Sequence, residues 1–214
     1  MKPIGIFGGT FDPVHIGHLR TAYELLTEVD LAQVHFVPCS QPPHQKSPHA
    51  TAELRVAMLR SAVAEVNGFI VDERELNREG VSYSVDTLES FRHEFPDRSI
   101  GLIVGMDAYL QFETWHRWQD ILKLAHVIVA RRPGADAPET GTPGRLLASH
   151  GAQDDAVLRQ EPAGRILVHA VTQLEVSSSA IRKLASQGAR PQFLVPDEVA
   201  EIIDVSGCYA GQTK

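Results

Sequence analysis

Apolar residues along this chain follow two spacings in alternation. Short, nearly continuous apolar runs at Lys2 to Phe7, Val34 to Pro38, Phe69 to Val71, Ile100 to Val104, His126 to Ala130 and Arg165 to His169 predict strands. Between them the spacing becomes helical: Leu19, Ala22, Leu25, Leu26 and Val29 fall on one face of a segment reaching Leu31. Helices are likewise predicted over Ala52–Val66, Ser84–Glu94 and Trp118–Leu124, in a stretch after the Pro/Gly/Thr-rich loop at Gly134–Gly144, and near Ser178–Ser186 and Pro196–Ile203. Apolar strands separated by helices imply an α/β, doubly wound, mainly parallel sheet with helices on both faces. In such sheets ligands bind beyond the carboxyl ends of the strands, so the residues just after each strand carry the functional information.

Composition narrows the class. At 214 residues and 43 % hydrophobic content the chain fits one domain, 1–214, with a small helical portion from about residue 177. Twenty basic against twenty-seven acidic residues give a formal charge of −7, which argues against nucleic acid or anionic membranes as partners. An anionic substrate must then find a local positive pocket. Two isolated cysteines, Cys39 and Cys208, suit neither a disulfide framework nor a zinc site, and no metal-ligating cluster is expected. No apolar run approaches transmembrane length and the first strand begins at once, so the expected compartment is a reducing cytoplasm.

The segment Gly8 to His18 follows the first strand and opens the first helix. Glycines there let backbone N–H groups approach an anion, and the helix N-terminus adds partial positive charge, so phosphate is the expected guest. With a helix start near Ile16, His15 sits at the cap and His18 one turn on, both able to face one phosphate. Nucleotidyl transfer asks for held geometry and stabilised charge, which imidazole donors supply. The segment resembles the nucleotidyltransferase superfamily with a His-x-Gly-His tetrad, here His15-Ile16-Gly17-His18; neither a Gly-x-Gly-x-x-Gly fingerprint nor a Gly-x-x-x-x-Gly-Lys loop is present.

Four later blocks fall at strand ends. In Pro42-Pro43-His44-Gln45-Lys46 two prolines stiffen the loop that carries His44 and Lys46. In Ser82-Tyr83-Ser84-Val85-Asp86-Thr87 a helix start offers N–H groups to a carboxylate, and Tyr83 offers a flat face to a heteroaromatic ring. Gly105-Met106-Asp107, followed by Phe112 to Trp118, joins a close backbone approach to a carboxylate suited to ribose hydroxyls; Trp115 either stacks on a ligand ring or packs in the core. Val176 to Arg182 is a hydroxyl-rich helix start with an Arg one turn inside, and Arg131-Arg132 closes another strand.

In this order the five blocks, from Gly8 to about Val199, resemble bacterial nicotinate-nucleotide adenylyltransferases, with Gln45 where the family often has a basic residue and Ser84 for its usual Thr. The resemblance implies a Rossmann-like nucleotidyltransferase fold and ATP and nicotinate mononucleotide as substrates, with Mg²⁺ accompanying ATP. It implies His15 and His18 as catalytic residues. ATP would meet Gly8, Gly9, Thr10, Phe11, Gly105, Asp107, Arg132, Ser178, Ser179 and Arg182; the mononucleotide would meet His44, Lys46, Tyr83, Ser84, Trp115 and His116, through backbone amides at Ser84 and His116. A pantetheine-phosphate, FMN or cytidylyl transferase would share the tetrad without the Tyr83 and Trp115 blocks. A non-catalytic nucleotide sensor fits poorly with intact His15, His18, Ser178 and Arg182, and a tRNA synthetase core fits poorly with the charge. Oligomeric state is not legible.

Overall fold

A computed structural model describes residues 1–43, 47–131, 134, 136–172 and 174–211. His44, Lys46 and Arg132, expected at the site, lie outside the described residues. The strands are β1 (Ile4–Gly9), β2 (Gln33–Pro38), β3 (Phe69–Val71), β4 (Ile100–Gly105), β5 (His126–Arg131), β6 (Gly151–Ala152) and β7 (Ile166–Ala170). The helices are α1 (Ile16–Glu28), α2 (Ala52–Val63), α3 (Ser84–Glu94), α4 (Met106–Leu110), α5 (Trp118–Leu124), α6 (Gly141–His150), α7 (Val157–Gln160), α8 (Ser178–Ser186) and α9 (Asp197–Ser206), with a 3₁₀ turn at Phe112–Thr114.

The sheet runs β3-β2-β1-β4-β5-β7-β6, and every pairing among the described residues is parallel. Alternation within the strands explains the double layer. In β5, Val127 and Val129 join the cluster under α3 and α5 with Leu88, Phe91 and Ile121, whereas Ile128 and Ala130 join the opposite cluster with Leu25, Leu59 and Ile181. Both faces are covered, so the strands read as unbroken apolar runs. Val199 and Ile203 of α9 belong to the same cluster as Leu59 and Val63 of α2. Among the described residues no helix is long and apolar enough to cross a membrane.

Strand order reverses between β1 and β4. Their pairing stops at Ile6 with Leu102, although β1 stays paired to β2 as far as Gly9 with Pro38, and β4 to β5 as far as Gly105 with Ala130. The two central strands thus part at their carboxyl ends and leave a crevice where such folds bind ligands.

Several boundaries differ from the sequence expectation. Gly8 and Gly9 are the last residues of β1, so the turn itself spans Thr10–His15. α2 stops at Val63, and α6 starts at Gly141 inside the expected loop. Pro143 is tolerated there because first-turn N–H groups lack helical partners anyway. The short β6, α7 and α4 were too brief to show a period.

Candidate active site

The turn after β1 is shaped by an aromatic residue in a left-handed conformation, Phe11 at φ 48°. Its ring folds back over Gly9, where a Cβ would lie 3.0 Å from it, and packs against Phe7, Phe36 and His18. A side chain at position 9 would crowd the ring, and the non-glycine Phe11 is held in its uncommon conformation by burial.

His15 caps α1. Its Nδ1 accepts the His18 amide at 3.4 Å, and His18 Nδ1 accepts the His15 amide at 3.3 Å. The rings stack with centroids 3.6 Å apart, and Gly17 permits this, since a Cβ there would sit 3.0 Å from His15 Nδ1. Because each Nδ1 is an acceptor, the proton of each neutral ring is on Nε2. Burial holds both rings neutral at pH 7: it lowers His15 to about 4 and, with the adjacent His15, lowers His18 to about 3. Each ring is left with Nε2–H as its donor.

The loop is fastened beneath by a buried carboxylate. Asp12 accepts the amides of His49 at 2.8 Å and Ala50 at 3.1 Å and the Tyr209 hydroxyl at 2.8 Å. Burial alone would raise its carboxyl, but these hydrogen bonds and the Arg182 guanidinium hold it below the ordinary carboxylate range. Arg182 donates to the Asp12 carbonyl at 2.6 Å and Ser178 to the Pro13 carbonyl at 2.9 Å, so α8 grips the loop's backbone. From the opposite side buried Arg55 donates to the Thr10 carbonyl at 2.8 Å.

Three cavities surround the loop. One of about 460 Å³ is lined by Thr10, Phe11, Asp12, His18, Ser47, Pro48, His49, Ser178, Ser179 and Arg182. A second of about 310 Å³ fills the crevice between β1 and β4, against Phe7, His15, Gly17, His18, Gly105 and Ala130. The third, of about 280 Å³, is lined by Gly9, Thr10, Cys39, Pro42, Pro43, Ser82, Tyr83, Ser84, Trp115 and His116. His18 borders the first two, and Thr10 joins the first to the third.

The third cavity has a flat aromatic wall, with Tyr83 and His116 rings 4.3 Å apart. Tyr83 caps α3 without a side-chain hydrogen bond, so first-turn amides of α3 remain for a carboxylate. Beneath it Glu75 accepts from the Thr87 hydroxyl, whose oxygen lies 3.3 Å from the Tyr83 carbonyl, and Ser82 accepts the Ser40 amide at 2.9 Å. Burial pushes the Glu75 carboxyl up, and its hydrogen bonds with Thr87 and Ser82 oppose that. Arg117, left-handed at φ 49°, donates to Glu89 of α3 and Asp120 of α5 and ties the Trp115–His116 segment to α3.

The cytidylyltransferase-like family matches residues 6–184. A protein of Acidithiobacillus ferrooxidans named probable nicotinate-nucleotide adenylyltransferase is 48 % identical over 205 residues, 95 % of this chain and 94 % of that protein. The chain belongs to the nicotinate-nucleotide adenylyltransferase family. A probable nicotinate-nucleotide adenylyltransferase of Methylococcus capsulatus is 43 % identical, covering 97 % of this chain and 99 % of its own. The fold agrees with that of the Plasmodium falciparum nicotinic acid mononucleotide adenylyltransferase complexed with NaAD, at a TM-score of 0.73 and 16 % identity over 98 % of both chains.

For this adenylyltransferase family member, the structure gathers most residues expected at the site around one loop: His15, His18, Thr10 and Phe11 with Ser178, Ser179 and Arg182, and Tyr83, Ser84, Trp115 and His116 across the second wall. Gly8 and Gly105 have open space where a Cβ would stand. Asp107, in the first turn of α4, is exposed and lines none of the three cavities. Asp12, Arg55, His49, Glu75 and Tyr209 were not singled out from sequence. Asp12 alone carried a local signal, as an acidic residue inside the phosphate turn.

Proposed function

We infer that this chain transfers the adenylyl group of ATP to nicotinate mononucleotide, giving deamido-NAD and pyrophosphate, and that it does so in the cytoplasm as a step of NAD biosynthesis. The observation that carries this reading is the convergence of three cavities on the Thr10–His18 loop, with His18 between two of them and Thr10 at the edge of the third. The crevice between β1 and β4 suits adenosine, the cavity beside Arg182 and Ser178 suits the outer phosphates, and the aromatic cavity suits the pyridine.

The mononucleotide phosphate is already anionic at pH 7, so attack on the α-phosphorus needs no general base. In this reading the two Nε2–H donors meet the charge that accumulates on the transferring phosphate, and as fixed neutral donors they need little reorganisation during the reaction. Mg²⁺ fits this donor set as a companion of the triphosphate: the Asp12 carboxylate is engaged by two amides, a phenol and a guanidinium, and the other lining groups are hydroxyls, imidazoles and a guanidinium. Bound to the phosphates it would neutralise part of their charge. At the pyridine end, α3 presents N–H donors, which suit a carboxylate better than the NH₂ of a carboxamide, so nicotinate mononucleotide is favoured over nicotinamide mononucleotide.

Pyrophosphate release from ATP, measured in parallel with nicotinate mononucleotide, nicotinamide mononucleotide, phosphopantetheine and FMN, tests the reading. Release is expected to be fastest with the nicotinate form. Release with neither pyridine nucleotide refutes it.

A further inference from the structure

The chain carries a formal charge of −7, yet the cavity beside α8 must hold the outer phosphates of ATP. Among the described residues lining it, Arg182 is the one permanent cation, and Asp12 offsets its charge. Two imidazoles remain. His18 also borders the adenosine crevice and meets the phosphate being transferred. The other is His49, on the loop leading into α2, with a side chain 43 % exposed and no part in the transfer itself.

His49 is held in place by its neighbour. Asp12 Oδ2 accepts the His49 amide at 2.8 Å and lies 3.4 Å from its ring Nδ1. One buried carboxylate oxygen therefore faces both the backbone and the ring of the same residue, which restricts the positions the ring can take. Arg182 lies 3.8 Å from that oxygen, and His18 lines the same cavity wall. With Nδ1 beside Asp12, Nε2 is the ring nitrogen left for a ligand.

We propose that His49 binds the polyphosphate of ATP and grips the part that departs as pyrophosphate. This rests on the adenylyltransferase reading and adds a residue to it. The ring faces Asp12 through Nδ1 and a β- or γ-phosphate oxygen through Nε2. When the bond from the α-phosphorus to its bridging oxygen breaks, both electrons leave with that oxygen, and His49 stays with the departing pyrophosphate. The placement also accounts for a carboxylate beneath an anion site: Asp12 is saturated by its donors and serves to aim the imidazole.

The test is His49→Ala, with inhibition constants for inorganic pyrophosphate and for AMP measured beside the ATP KM. Removing one charge-assisted contact should raise the pyrophosphate constant and the ATP KM about five- to tenfold. AMP lacks the outer phosphates, so its constant should move less than about twofold. A pyrophosphate constant that does not move, or an AMP constant that weakens in parallel, overturns the proposal. Wild-type chain is assayed alongside with ATP and nicotinate mononucleotide. No wild-type turnover would refute the reaction itself, whereas normal wild-type turnover with an unmoved pyrophosphate constant rejects His49 alone.

Discussion

The polyphosphate side of the Thr10–His18 loop is fixed by buried or half-buried polar groups from three separate segments: Arg55 of α2 on the Thr10 carbonyl, Ser178 and Arg182 of α8 on the Pro13 and Asp12 carbonyls, and Tyr209 on the Asp12 carboxylate. The pyridine side is assembled differently, from a ring contact between Tyr83 and His116 and from exposed ion pairs of Arg117. Exposed pairs are weak, whereas buried, charge-assisted hydrogen bonds are costly to break. The difference suits the two tasks. Stabilising a transition state requires donors that are already in place, while recognition of a flat ring tolerates adjustment.

The sharpest test of that contrast is His18→Ala. If the loop is preorganised for the transition state, turnover should fall about 10²–10³-fold, as for loss of one oxyanion donor, with substrate KM values nearly unchanged. Equal losses in KM alone would place His18 on the recognition side instead.

Asp12→Ala should act on the fold. Removing the carboxylate leaves two amides and a phenol without their acceptor and takes a negative charge from beside Arg182, and a cost of about 2–4 kcal/mol is expected in denaturant unfolding. The pH dependence has a defined sign. A carboxyl held below its unfolded value stabilises the fold above about pH 4 and loses that contribution as pH falls through the folded value. Asp72, lowered by His35 and Arg74 against burial, contributes in the same window, so the informative quantity is the difference between wild type and Asp12→Asn. That difference should shrink below pH 4; a gap constant with pH would mean that the carboxyl does not titrate with folding.

On the pyridine side Trp115→Ala should raise the KM for nicotinate mononucleotide about tenfold and leave that for ATP nearly unchanged. Trp115 also touches the Phe112 ring, 5.5 Å between centroids. A thermal unfolding scan of the same variant separates lost stacking on substrate from lost packing: a large fall in Tm with an unmoved KM would assign Trp115 to the core.

The same contrast describes what could be read from sequence. Strands were legible because burial on both faces leaves short unbroken apolar runs, and long helices because burial on one face imposes a helical period. The His15–His18 pair was legible because spacing on a helix fixes it, and the sequence placed His15 at the cap where the structure has it. The fastening of the loop was not legible. Asp12 and Tyr209 are 197 positions apart, and a hydrogen bond between loop and chain end leaves no periodic trace. The glycine-built turn was a misreading: Gly8 and Gly9 remain in the sheet, and Phe11 takes the left-handed position because its buried ring holds it there. Tertiary packing overrode a local preference.

The smallest effect is expected at Arg117. Its guanidinium joins Glu89, Asp120 and, at 3.9 Å, Asp86, but all these groups are half-exposed and compete with water and salt. Arg117→Gly removes the ion pairs while suiting the left-handed backbone, so the pyridine wall should keep its shape and the mononucleotide KM should rise no more than about twofold. Arg117→Ala removes the same ion pairs and retains the backbone strain, so its KM should exceed that of the Gly variant. Equal KM values for the two variants would mean that the ion pairs, not the backbone, set the position of His116. A rise above tenfold in both would show the pyridine wall to be as rigidly built as the polyphosphate side, which would remove the asymmetry between them.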